Sequence, residues 1–253
     1  MAEEGKYLYC IIGSNEGRNF GPLGIGAKGD PVTTISYDEL SAVISDSPIK
    51  KYVTTRENTI AHEKAIEKVM SEGYTVLPVR FGTVADSAQE VRDVLRVRHR
   101  EFKDLLRDMD NKVELGVKGL WLDMESIFAE IVEERDDIRR LRNRAARKPT
   151  RDSMIQVGEL VQEALVKKKK KEAALILDAV KKLPADVRIN NDFGDMMFLN
   201  AAFLVDRSRE REFDDRIEEL RAKYAARMKL SYIGPVPIFN FVNLVIHWEE
   251  VKK

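Results

Sequence analysis

The sequence predicts an α+β protein of two domains: an N-terminal small mixed sheet with helices, then a C-terminal ferredoxin-like (split β-α-β) domain with an additional long helical segment. Three observations lead there. Short β-rich runs alternate with amphipathic helical stretches along the chain. The second half, taken in order, reads strand, helix, strand, strand, helix, strand. The chain has 253 residues, 43% of them hydrophobic and 34% charged, which is enough for two cores under a helix-rich surface. The expected domains are 1–110 and 111–253, the second including a helical insertion at 123–148.

In the first domain, residues 6–12 form a strand, and a glycine-rich loop runs from 13 to 30. Residues 32–35 and 40–45 pair as a hairpin through Tyr37-Asp-Glu. Thr54-Thr-Arg-Glu57 has capping-box spacing and opens a helix whose inward stripe is Ile60, Ala61, Ala65, Val69 and Met70, stopped by Gly73. Residues 74–79 are a short apolar strand in which Pro78 signals an edge or an end, since proline donates nothing to a ladder. Arg80 follows directly, and its guanidinium must find a carboxylate, a carbonyl or a partner. Ser87-Ala-Gln-Glu90 caps one further helix running to Met109, with helices packed on one face of the sheet.

The second domain opens with a strand over 113–122 and a helix over 123–148. Pro149 interrupts, and a long helix continues from about 152 to Leu183, where Pro184 stops it. Strands over 187–190 and 196–205 flank the turn Asn191-Asp-Phe-Gly-Asp195, a helix carries Phe213, Ile217, Leu220 and Tyr224, and an extended segment covers 230–248, broken by Gly234-Pro-Val-Pro237.

The composition narrows function. With 43 basic and 43 acidic residues the net charge is zero, so no global field favours nucleic acid or a membrane. Cys10, the single cysteine, lies in an apolar run and reads as a buried small hydrophobe, which suits a reducing cytoplasm. No apolar run approaches the ~20 residues of a membrane span. Gly24-Ile-Gly-Ala-Lys-Gly29 matches the dinucleotide pattern, yet a strand follows where that motif needs a helix. His62-Glu63 would need a histidine at 66, where Ile66 stands, and the three histidines share no ligand spacing, so no metal or cofactor is expected. There is no Gly-x-Ser-x-Gly elbow, and no enzyme is expected. The basic stretch 139–148 and the run Lys167–Lys171 read first as solvated helix surface. A ferredoxin-like ligand- or nucleic-acid-binding module using those basic helices is the alternative reading.

Six blocks carry a family likeness: Tyr7-Leu-Tyr-Cys-Ile11, Tyr37-Asp-Glu-Leu-Ser-Ala-Val-Ile-Ser45, His62-Glu63, Leu77-Pro-Val-Arg-Phe-Gly-Thr-Val84, Val113-Glu-Leu-Gly-Val-Lys118 and Gly234-Pro-Val-Pro-Ile-Phe-Asn-Phe-Val242. In this order they resemble the gas vesicle protein F/L family over nearly the whole chain. The likeness departs at Val236, where the family usually has tryptophan, and near Ile238 and Phe239. It implies a non-enzymatic accessory or minor structural protein of gas vesicle assembly, located at the gas vesicle in the cytoplasm. The implied partners are the hydrophobic shell protein (GvpA-type) and other accessory proteins during nucleation, with no nucleic acid and no membrane. Arg80, Phe81, Pro235, Pro237, Phe239 and Phe241 are the expected partner-binding residues, because they mix turn, aromatic and charged character beside strand ends.

Overall fold

A computed structural model describes residues 4–26, 29–147 and 149–251. Ala27 and Lys28 of the glycine motif, and Lys148 of the basic stretch, lie outside the described residues. The chain divides into two compact units, one of residues 1–114 and 235–253, the other of residues 115–234. The expected second domain ran to residue 253, whereas contacts group the tail from Pro235 onward with the first unit.

The first unit holds β1 (Glu4–Gly13), β2 (Asn19–Gly21), β3 (Val32–Tyr37), β4 (Leu40–Pro48), α1 (Arg56–Ser71), β5 (Val76–Pro78), β6 (Val84–Ala85), α2 (Ala88–Val97) and α3 (His99–Met109). Its six-stranded sheet runs β2-β3-β4-β1-β5, with β6 also on β1. β1 is central because all six residues from Tyr7 to Ile12 are apolar and fully buried, so both of its faces are covered. A bulge between Leu8 and Cys10 lets Tyr7, Tyr9, Cys10 and Ile12 share one cluster with Ala65, Ile66 and Val69 of α1. Leu8 and Ile11 then face the other way, where α2 and α3 run against β1. Helices on one face only is therefore corrected to helices on both.

β1 pairs antiparallel with β4, β5 and β6, and an isolated parallel bridge between Val79 and Leu244 brings in the tail. Pro78 sits on the edge strand as expected, and the tail bridge covers the backbone just beyond it. The first helix begins one residue later than its capping pattern suggested: Thr55, not Thr54, accepts from the Asn58 N–H. Ser87 caps α2 as predicted, at 3.1 Å from the Glu90 nitrogen. The single helix expected to Met109 breaks at Arg98, which leaves helical geometry and turns its guanidinium to Glu101 and to the Val245 carbonyl.

The second unit contains most of β7 (Lys112–Trp121), then α4 (Met124–Glu134), α5 (Asp136–Arg147), α6 (Arg151–Val180), β8 (Asp186–Ile189), β9 (Met197–Asp206), α7 (Glu210–Tyr224) and most of β10 (Met228–Val236). The order β10-β7-β9-β8 is that of the split β-α-β arrangement, with α4 and α5 inserted after its first strand. Trp121 of β7 packs on Phe198 of β9 with centroids 5.5 Å apart, and Phe203 of β9 on Phe213 at 5.1 Å ties the sheet to α7. The insertion is two helices, not one, because Arg135 adopts extended backbone and clasps Asp137. Beyond Val236 the tail is not extended. The Phe241 and Val242 N–H groups both turn back to the Ile238 carbonyl, and a short α8 (Trp248–Val251) follows.

Candidate functional site

β5 delivers the chain into a tight turn, Arg80-Phe81-Gly82-Thr83, and buried polar aromatics fix that turn from below. Tyr7 Oη lies 3.0 Å from His62 Nδ1 and accepts from the Gly82 N–H at 3.0 Å. Because burial keeps the imidazole neutral near pH 7, Nδ1 can accept the Tyr7 hydroxyl proton while Tyr7 accepts from the Gly82 N–H. Burial pushes His62 down to about 4, opposed by its hydrogen bond to the Val79 backbone. The ring packs edge-on to Phe81, centroids 5.6 Å apart, and stacks on Tyr9 at 5.7 Å. Burial also raises the Tyr7 and Tyr9 hydroxyls, so neither ionises near neutrality. Gly82 has φ +83°, the left-handed region that a side chain disfavours. Thr83 Oγ1 closes the turn by donating to the Arg80 carbonyl at 2.7 Å.

The tail holds the turn from outside. The Arg80 N–H donates to the Leu244 carbonyl at 3.0 Å, and Arg98 Nη1 donates to the Val245 carbonyl at 2.9 Å. Further back, buried Glu114 accepts from both the backbone and the side-chain nitrogen of Asn240. Burial nevertheless raises the Glu114 carboxyl, a shift those two hydrogen bonds reduce.

These three segments enclose a groove of about 700 Å³ lined by the loop 49–54, the turn 80–84 and the tail 245–248. Its apolar wall includes Phe81, Val84, Ile246 and Trp248, and its polar groups include Lys50, Lys51, Arg80 and His247. The Arg80 side chain is exposed and holds no carboxylate among the described residues. Of the partners open to Arg80 in the sequence, no described residue supplies the carboxylate. Phe81 is half-buried against the core cluster beneath.

The other residues singled out in the sequence lie elsewhere on the tail. Pro235 is exposed, Pro237 is buried, Phe239 is half-buried on the same core cluster, and Phe241 is half-buried; none lines the groove. Lys50, Lys51, His247 and Trp248, which do line it, were not singled out in the sequence. Leu244 through Trp248 read only as the end of an apolar run, because no local pattern announces pairing with a residue 165 positions away.

Elsewhere, charged groups satisfy one another. In the lysine run, Lys168 is only 8% exposed and bridges Glu130 and Glu134, while Lys169 holds Asp192 and the Gly194 carbonyl. The expectation that this run is wholly solvated is corrected: two of its members are structural ties, and Lys170 and Lys171 are exposed. Arg227 reaches both Glu130 and Glu172, and this pairing, with Lys168, lowers Glu130 to about 2. Asp38, Glu39 and His99 bring ligand atoms within 4.8 Å of one another, but Lys103 already pairs with Glu39. Among the described residues no helix is long and apolar enough to cross a membrane.

Fold and groove together define a two-unit α+β protein, ferredoxin-like in its second unit, with a basic and aromatic groove on its first. The sequence profile described as "Gas vesicle synthesis protein GvpL/GvpF" matches residues 5–243. The chain is 31% identical to Gas vesicle protein F of Streptomyces sp. (strain CB03234) over 87% of its own length and 91% of that protein. It is 26% identical to Gas vesicle protein F of Dolichospermum flosaquae, over 87% and 90%. The crystal structure of the gas vesicle protein GvpF from Anabaena sp. PCC7120 shares the fold, with a TM-score of 0.81 at 24% identity, covering 96% of this chain and 100% of that one. The chain belongs to the GvpL/GvpF family of gas vesicle synthesis proteins. Its role is accordingly that of an accessory protein of gas vesicle formation.

Proposed function

We propose that this protein is a non-enzymatic component that binds the hydrophobic shell protein, together with other accessory proteins, while a vesicle nucleates, and that it acts at the gas vesicle within the cytoplasm. A shell subunit not yet in the wall exposes apolar surface, so a helper must offer a complementary patch and then release it. One observation carries the reading: Arg80 stands exposed, with no carboxylate partner among the described residues, beside Phe81 on a turn that is fixed from both sides. Arg80 and Phe81 make the direct contact. Pro235 extends the contact surface, while Pro237, Phe239 and Phe241 support it by seating the tail. A nucleic-acid role for the basic helices finds little support, since Lys168 and Lys169 are spent on carboxylates.

Pull-down of the shell protein by Arg80→Ala is the test. Capture is expected to fall about tenfold or more with the melting temperature unchanged, because an exposed side chain without partners contributes little to stability. Unchanged capture would refute the assignment of Arg80, and a collapse in stability would show a structural role.

A further inference from the structure

The groove around Arg80 is also selective in chemistry. Its lining contains Lys50, Lys51, Arg80 and His247 and not one carboxylate, in a chain whose acidic and basic residues are equal in number. Elsewhere arginines commonly hold a nearby carboxylate, as Arg96, Arg98, Arg209 and Arg216 do at three residues' distance. In the groove Lys50 lies over the Tyr52 ring, 5.0 Å from its centroid, while the Arg80 fork faces solvent without an anion. The basic groups are therefore concentrated among the lining residues, and they are set beside Phe81, Val84, Ile246 and Trp248. Planar guanidinium geometry matches a carboxylate in two parallel hydrogen bonds, and an indole and a phenyl ring beside it favour an aromatic or aliphatic neighbour.

We infer that the groove takes an acidic peptide segment of a partner polypeptide, with a carboxylate seated on Arg80 and an adjacent aromatic or aliphatic side chain against Phe81 and Trp248. The inference rests on the reading of the protein as a binder of other gas vesicle polypeptides and specifies what its groove recognises. At about 700 Å³ the groove has room for a few side chains of an extended segment. A nucleic acid would need a wide basic footprint, which four basic residues on a neutral chain do not provide.

The test uses the full chain and two fluorescein-labelled peptides, Gly-Asp-Phe-Glu-Leu-Asp-Gly and its uncharged isostere Gly-Asn-Phe-Gln-Leu-Asn-Gly. Fluorescence polarisation is expected to show the acidic peptide binding at least about tenfold more tightly than the isostere. Arg80→Ala is expected to weaken it about ten- to a hundredfold, whereas Lys170→Ala, on the second unit, leaves it unchanged. With unlabelled peptide, tryptophan emission shifts in the native protein and stays fixed in Trp248→Phe, because Trp121 is fully buried. Equal binding of both peptides, failure of the acidic peptide to bind, or binding indifferent to Arg80→Ala overturns the inference. So does tighter binding of single-stranded DNA with steep salt dependence, or self-association abolished by Arg80→Ala, which would give the groove to phosphates or to a second copy. If shell-protein capture depends on Arg80 but the acidic peptide neither binds nor competes, only this inference falls. If the peptide binds at Arg80 while capture ignores it, the shell-binding reading falls and this inference stands.

Discussion

Protonating His62 should unfasten the turn that presents Arg80, and the cost can be worked from its surroundings. The ring is 3% exposed, and its ionisation is displaced from 6.5 to about 4 by burial. Above about pH 6.5 folded and unfolded chains both carry the neutral ring. Between about 6.5 and 4 the unfolded chain binds a proton that the folded one refuses, so stability falls by up to about 1.4 kcal/mol per pH unit. Below about 4 both forms are charged and this loss stops, after a total of about 3 kcal/mol. Glu114 works in the opposite sense: burial raises its carboxyl above 4.5, so the folded chain takes up its proton earlier and gains stability as the pH falls. Comparing the native protein with His62→Gln cancels that contribution, since both contain Glu114. Urea unfolding followed by circular dichroism should show the native protein's advantage over His62→Gln shrinking by about 2 kcal/mol between about pH 7 and pH 5. An advantage that stays constant across that interval would refute the buried neutral imidazole and the hydrogen-bond chain from Val79 through His62 and Tyr7 to Gly82.

Three further substitutions test the second unit. Lys168→Ala should lower unfolding stability by about 1–3 kcal/mol by taking the cation from Glu134 and leaving Glu130 to Arg227 alone, whereas Lys170→Ala should stay within about 0.5 kcal/mol; equal effects would contradict the division of the lysine run. Gly119→Ala should cost about 1–3 kcal/mol in chemical denaturation, because its Cβ would overlap the Phe198 ring packed on Trp121; an unchanged urea midpoint would show that the ring moves freely.

Much of this architecture was legible in the sequence where the signal is local. Ser87 before Glu90, Pro149 and Pro184 at helix ends, and the hairpin through Tyr37-Asp-Glu each act within a few residues, and those elements lie where expected. The breaks at Arg98 and Arg135 were hidden because the apolar period continues across them; the bonds that Arg98 makes at its break include one to the Val245 carbonyl, distant in sequence. The lysine run misled for the same reason, since its anions Glu130, Glu134 and Asp192 lie tens of residues away along the chain. Of the candidate site, Arg80 and Phe81 could be picked out from a charge placed directly after an apolar strand. The remainder of the groove, Lys50, Lys51, His247 and Trp248, depends on the tail folding back beside Val79, a long-range pairing that local pattern does not encode.

Contact between the groove and the shell protein is best measured by site-specific photo-crosslinking in vesicle-forming cells, with the reactive residue placed either at position 51 in the groove or at position 170 on α6. A shell-protein adduct from position 51 that disappears with Arg80→Ala, and none from position 170, is the expected result. Adducts from position 170 alone would place the contact on the second unit and contradict the account.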